Sequence, residues 1–417
     1  MLQLTKETMR SWFTMKACGL IVEYNPFHNG HLHHVEQAKE ISGAECIIAV
    51  MSGSFLQRGE PAIIDKYHRT LAALKGGVDL VVELPYTYAV QSSHLFATGA
   101  VKTLNEMGAS SICFGSESGN VARFVESYHH FSEHKDTYIE VLRKALDQGK
   151  SYPSASEEAY HEIGMTSQAI DLTQPNNILG YSYVKAIKDH QLSIQPLTIK
   201  RTKSGYHDES ISDTIASATS IRSEILAKGH LTEKVRHTLP DSTICQLLDY
   251  YAKASLWHTW ENYFPFILYR IQTMDTDELR DIHGVDEGLE FRIKKSAKHA
   301  TCMQDLISAT KTKRYTWTRL QRIFVHLLTN TTKQAIQPII DEQPIPYIRL
   351  LGMNETGQSY LSQIKNDMDV PIVSSLQQHK STMMKIEERA THAYYSVLPS
   401  TIQQNLWKQE IQSVIRI

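Results

Sequence analysis

The chain has 417 residues, 41% hydrophobic and 21% charged, with a formal net charge of −2. This length carries two or three domains with real cores, and no apolar run approaches a membrane span. A balance so near neutral excludes a uniformly basic coat for nucleic acid, although not a local one.

Residues 1–14 are polar and mixed, without the apolar core of a signal peptide, and Met15 reads as a candidate alternative start. They read as a dispensable leader. The five cysteines (Cys18, Cys46, Cys113, Cys245 and Cys302) are scattered and never in Cys-x-x-Cys spacing. They read as small core residues, so neither a disulfide framework nor a protein-held metal is expected, and the compartment is expected to be the cytosol.

An apolar strand over 17–22 opens the first domain, followed by a Pro/Asn/Gly turn and a helix over 32–41. Strands over 46–51, 80–84 and 111–114 follow, the last stopped at Gly115, with helices over 65–75 and 92–107 between them. Continuous apolar strands separated by helices predict a doubly wound parallel sheet, a Rossmann-like α/β domain. A long helical stretch covers 121–150, then a helix over 178–188 and a strand over 195–200. From about 232 onward the pattern is mainly helical, with a late strand–helix–strand unit over 347–373. The expected division is 15–235 for nucleotide binding and 236–417 for a mostly helical domain with a small α/β part.

The chemistry gathers first in the turn, Tyr24-Asn25-Pro26-Phe27-His28-Asn29-Gly30-His31. It sits at the carboxyl end of the first strand, where open α/β sheets bind ligands, and it opens a helix whose free N–H groups favour anions. Gly30 removes a Cβ where a flat base would approach the backbone. His28 and His31 are placed to donate to phosphate oxygens. Ser217, Ser220 and Arg222 form a second phosphate candidate at a helix start, or a plain N-cap. The loop over 52–61 leaves the same sheet edge. Arg58 in it is either an anion ligand or half of a solvated pair with Glu60, and Gly53 and Gly59 would let it move. Lys66 and Arg69 read as charge at the mouth or as a wet helix face.

Residues 291–333 hold ten Lys/Arg against one acid, Asp305. With a total of −2, that +9 leaves −11 on the rest. Around Trp317, a helix with Leu320, Phe324 and Leu327 on its apolar face would leave Arg314, Arg319 and Arg322 opposite, available to a phosphodiester backbone.

These residues together resemble the bacterial tRNA(Met) cytidine acetate ligase family, within the nucleotidylyltransferases that carry a His-x-Gly-His turn. The likeness runs from Met15 over nearly the whole chain. It includes Val22-Glu23-Tyr24 through His31, Gln57-Arg58-Gly59-Glu60-Pro61, Val82-Glu83-Leu84-Pro85, Phe114-Gly115-Ser116-Glu117, Pro175-Asn176-Asn177, Ser217 to Arg222 and Lys313-Arg314-Tyr315-Thr316-Trp317.

The resemblance implies that acetate attacks the α-phosphate of ATP, giving acetyl-adenylate and pyrophosphate. The acetyl group then passes to the N4 amine of the wobble cytidine of elongator tRNA(Met). It implies an ATP site of Ile21, Val22, Glu23, Tyr24, Asn25, Pro26, Phe27, His28, Asn29, Gly30, His31, Leu32, His33 and His34, with Gly115, Asn176 and Arg201. On this reading His28 and His31 are catalytic at the α- and β-phosphates, Ser220 and Arg222 hold pyrophosphate, and Mg²⁺ bridges phosphates. Lys313, Arg314, Arg319 and Arg322 would contact tRNA. Two alternatives are a small-molecule adenylyltransferase with a phosphorylated acceptor and no RNA, and a non-catalytic RNA-binding protein.

Overall fold

The computed structural model describes residues 15–165, 170–201, 216–286 and 288–417. The leader, and most of the Ser/Thr-rich loop before Ser217, lie outside them.

One sheet organises the molecule. Strands β1 (Ala17–Val22), β2 (Cys46–Ser52), β3 (Leu80–Leu84), β4 (Ser111–Ser116), β5 (Gln195–Lys200), β6 (Ile348–Met353) and β7 (Ile372–Val373) lie in the order β5-β4-β1-β2-β3-β6-β7. A last strand, β8 (Ile415–Arg416), pairs with β6. From β5 to β3 every pairing is parallel, whereas β6 runs antiparallel to β3. Alternate residues of β2 enter separate apolar layers, Ile48 and Val50 on one face and Ile47, Ala49 and Met51 on the other. Burial on both faces explains why its sequence is apolar without interruption.

The chain winds from β1 through β2 to β3, then crosses back to place β4 on the far side of β1. The order reverses between β1 and β4, so their carboxyl ends flank the crevice in which such sheets hold ligands. Val22 leads from one end into the histidine turn, and Ser116 ends the other.

Three expected boundaries move. The first helix begins at Asn29, because His28 caps it. The stretch over 121–150 breaks at His134 into helices Val121–Glu133 and Lys135–Asp147. β4 continues through Gly115, which pairs with Ile199.

The late strand–helix–strand unit extends the first sheet. At its junction with β3, Lys66 Nζ lies 2.7 Å from Glu83 and 2.9 Å from Glu410, and Arg349 lies 2.7 Å from Glu410. All four are buried. Neither Lys66 nor Arg69 therefore lies at the mouth or on a wet face. Arg69 is buried and donates to the carbonyls of Glu23 (2.6 Å), Ser52 (3.0 Å) and Gly53, tying the ends of β1 and β2 together.

Candidate active site

The turn after β1 is shaped by a cis Asn25–Pro26 bond and by Tyr24 at φ +47°. Asn25 Oδ1 accepts the N–H of Ile63 at 2.8 Å, fastening the turn to the neighbouring loop. His28 then caps helix Asn29–Ser42. Its Nδ1 accepts the N–H of Gly30 at 3.0 Å, and His31 Nδ1 accepts the N–H of His28 at 3.3 Å. This is a capping box made of imidazoles, their rings stacked with centroids 3.8 Å apart. A nitrogen that accepts carries no hydrogen, so each neutral ring keeps its hydrogen on Nε2. Burial, reinforced by Arg201 and Arg222, pushes His28 down to about 3. Burial and the neighbouring His28 push His31 well below the usual range. Both rings are neutral at pH 7 and line a cleft as Nε2–H donors.

Arg222 reaches this turn from helix Ala218–Lys228, donating to the Asn25 carbonyl at 2.9 Å and pairing with Glu60 at 3.1 Å. Glu60 thus pairs across the crevice with Arg222. On the other flank Arg201 donates to Asn176 Oδ1 at 2.9 Å. Glu117, just past β4, accepts from Asn176 Nδ2 at 2.6 Å and from the Asn177 N–H at 2.8 Å, closing the start of helix Pro175–Asp189. A Cβ on Gly115 would sit 3.2 Å from the Arg201 side chain.

Of the residues expected at the nucleotide, Ile21, Val22, Glu23, Tyr24, Asn25, His28, Gly30, His31, His33, His34, Gly115, Asn176, Arg201 and Arg222 line one cleft. Pro26, Phe27, Asn29, Leu32 and Ser220 do not. Phe27 is in the core beneath the turn. Ser220 is buried, and its hydroxyl donates to the Ser217 carbonyl at 2.9 Å. Ser217 is the N-cap, its Oγ accepting the Ser220 N–H at 3.1 Å, and of Ser220 and Arg222 only Arg222 faces the cleft.

The cleft extends to the basic segment. Arg314, Arg319, Arg322 and Lys333 line it, while Lys313 does not. Lys313 and Arg314 precede helix Trp317–Leu328. Arg319 lies over the Tyr315 ring at 4.6 Å and 3.7 Å from Asp286, which Lys333 also meets at 2.9 Å. Burial and Arg319 push Arg322 down to about 10, and it donates to the Gln57 carbonyl at 3.5 Å. Arg292 has a structural use, donating to the carbonyls of Thr310, Ala309 and Lys311 at the end of helix Met303–Thr310. The loop over 52–61 is largely buried rather than poised to close. The cleft occupies 2180 Å³, whereas small-molecule pockets run to roughly 300–1,000 Å³. Gln57, which opens the Gln57-Arg58-Gly59-Glu60-Pro61 string, lines it too, as do Gln91 and Asp286, which no sequence pattern marks.

Residues 15–410 match the family model described as HIGH Nucleotidyl Transferase. A protein of Oceanobacillus iheyensis named tRNA(Met) cytidine acetate ligase is 52% identical over 97% of this chain and 100% of its own length. This chain belongs to that family. A Bacillus subtilis protein of the same name is 45% identical over 91% of this chain and 92% of its own. The crystal structure of Thermotoga maritima TmcAL bound with alpha-thio ATP is similar at a TM-score of 0.87 and 32% identity, covering 97% of this chain and all of that one. Its apo form gives 0.89 at the same identity. Among the described residues no helix is long and apolar enough to cross a membrane.

Proposed function

We infer that this protein is a tRNA(Met) cytidine acetate ligase. It joins acetate to the α-phosphate of ATP with release of pyrophosphate, then moves the acetyl group from the adenylate to N4 of the wobble cytidine in elongator tRNA(Met).

The observation that carries this reading is one continuous cleft lined by two sets of groups. One is the pair of locked neutral imidazoles, which offer hydrogen-bond donors, with Arg201 and Arg222. The other is Arg314, Arg319, Arg322 and Lys333. Its size and this basic wall support an RNA acceptor over a small phosphorylated one.

In this reading His28 and His31 donate from Nε2 to the α- and β-phosphates, while Arg222 draws charge from the departing pyrophosphate. Backbone at Gly30, with Gly115, Asn176 and Arg201, holds the nucleoside. The donors are fixed before substrate arrives, so they need no reorganisation as charge develops. Mg²⁺, proposed to come with the nucleotide, would supply positive charge to the phosphates. The acids nearest the turn are engaged, Glu23 by the Gln57 N–H at 2.8 Å and Glu60 by Arg222, so protein-held coordination is not part of the proposal. Residues 236–417 are proposed as the main tRNA-contacting part, working in the cytoplasm.

Bulk tRNA from cells with and without the gene tests the reading by mass spectrometry. An acetyl group on the tRNA(Met) cytidine that disappears with the gene is the expected result. Unchanged acetylation would overturn it.

A further inference from the structure

Between the histidine turn and the basic helix, the wall of the cleft is built on Gln57 and Gln91. Gln57 is fixed from three sides. Its N–H donates to Glu23 at 2.8 Å, its Nε2 donates to the Gln91 carbonyl at 2.9 Å, and its carbonyl accepts from Arg322. Gln91 is thereby held by its backbone and is only 5% exposed, yet it borders the cleft. Its Nε2 has no hydrogen-bond partner among the described residues. Folded proteins leave few buried donors in this state, and one that borders a ligand cleft marks where a ligand acceptor goes.

A second feature lies beside it. Ser92, the N-cap of helix Ser93–Glu106, makes no side-chain bond to the first turn. Ser92, Ser93 and His94 line the same cleft, so that end of the helix faces it and suits an anion.

We propose that Gln91 binds the Watson–Crick edge of the acceptor cytidine, and that the start of helix Ser93–Glu106 receives the phosphate of an adjoining nucleotide. This rests on the function proposed above. Cytosine carries an N4–H donor next to the N3 acceptor, and a carboxamide is their complement. Oε1 accepts from N4 while Nε2 donates to N3. The base must leave its stack to reach the wall, and an amide there repeats part of the pairing it gives up. Acetate would satisfy the lone donor as well. The short helix that leads into Gln91 nevertheless packs on the basic helix, where the Tyr86 hydroxyl meets His326 Nδ1 at 2.9 Å, and His326 lines the cleft beside Arg322.

The test uses the full chain and tRNA(Met) carrying cytidine or 3-deazacytidine, which lacks the N3 acceptor, at the wobble position. With the native protein, the deaza base lowers kcat/KM for acetyl transfer roughly tenfold, and Gln91→Met lowers transfer to cytidine by a similar factor. In Gln91→Met the deaza base then makes less than about a twofold difference, because the bond it removes is already gone. Gln91→Glu, which keeps the shape, gives the same loss of sensitivity should the methionine variant melt early.

Losses that multiply would overturn the assignment. So would native transfer by Gln91→Met, or a raised KM for acetate in pyrophosphate exchange, which would place acetate at Gln91. Absence of acetate-dependent exchange in the native protein would instead overturn the enzymatic reading itself.

Discussion

A Cβ built on Gly59 would lie 2.4 Å from the backbone nitrogen of Arg322. The loop that follows β2 and the basic helix thus meet main chain to main chain, and Gly59 sits at φ +79°, where any other residue is strained. This contact couples the nucleotide side of the cleft to its basic wall. Gly59→Ala is expected to destabilise the fold by at least ~2 kcal/mol through backbone strain and overpacking together. It should also raise KM for tRNA. Urea unfolding and transfer kinetics check this, and native values for both would remove the coupling.

His28 carries two roles that substitution separates. Asparagine is a good N-cap, so His28→Asn should hold stability to within ~0.5 kcal/mol, whereas His28→Ala should lose about 1 kcal/mol. Both should lower adenylate formation by roughly 10²–10³-fold, as expected when one oriented donor to developing charge is lost. The pH dependence follows from the buried neutral ring. The unfolded state protonates below 6.5 while folded His28 resists to about 3, so stability falls as pH drops through that window. His28→Asn should flatten this slope. An asparagine variant that forms adenylate at the native rate would make the ring purely structural.

Arg319 is an accessible member of the basic wall, its side chain a third exposed and only loosely paired with Asp286 at 3.7 Å. Replacing it with glutamine should weaken tRNA binding at low salt and reduce the slope of log Kd against log salt by about 0.7–0.9, one phosphate contact. An unchanged slope would remove Arg319 from the interface.

Glu387 is buried beside Glu83, with Oε2 accepting the Tyr86 N–H at 2.7 Å. Burial and the Glu83 charge push its carboxyl up to about 8. The folded state therefore holds a proton that the unfolded state releases near 4.5, and stability should decline as pH rises from 4.5 through 8. Glu387→Gln mimics the protonated form and should abolish that decline, raising Tm above pH 8. Tm measured across pH decides it, and a variant that keeps the native slope would contradict the assignment.

Much of this architecture was legible in the sequence because β1 and β2 are apolar runs and each is followed by a helix. The run over 17–22, ending in a turn with two histidines, located the crevice. Other features depended on partners far along the chain. Lys66 resembles a wet-face lysine until Glu410 and Arg349 arrive more than 280 residues later, and β6 pairs with β3 across a similar gap. Ser220 carried no distinguishing signal, since a hydroxyl at a helix start serves a cap and a phosphate equally well. Gln91 follows an ordinary strand and short helix, and its unpartnered amide is visible only in three dimensions. Arg314 was expected on the helix, but the helix begins only at Trp317, with Thr316 at its N-cap position.

Acetate-dependent exchange of labelled pyrophosphate into ATP, run without tRNA, tests the central claim most directly. Robust exchange that requires acetate in the native protein and vanishes in His28→Ala is the predicted result. Exchange indifferent to acetate, or undiminished in His28→Ala, would contradict it.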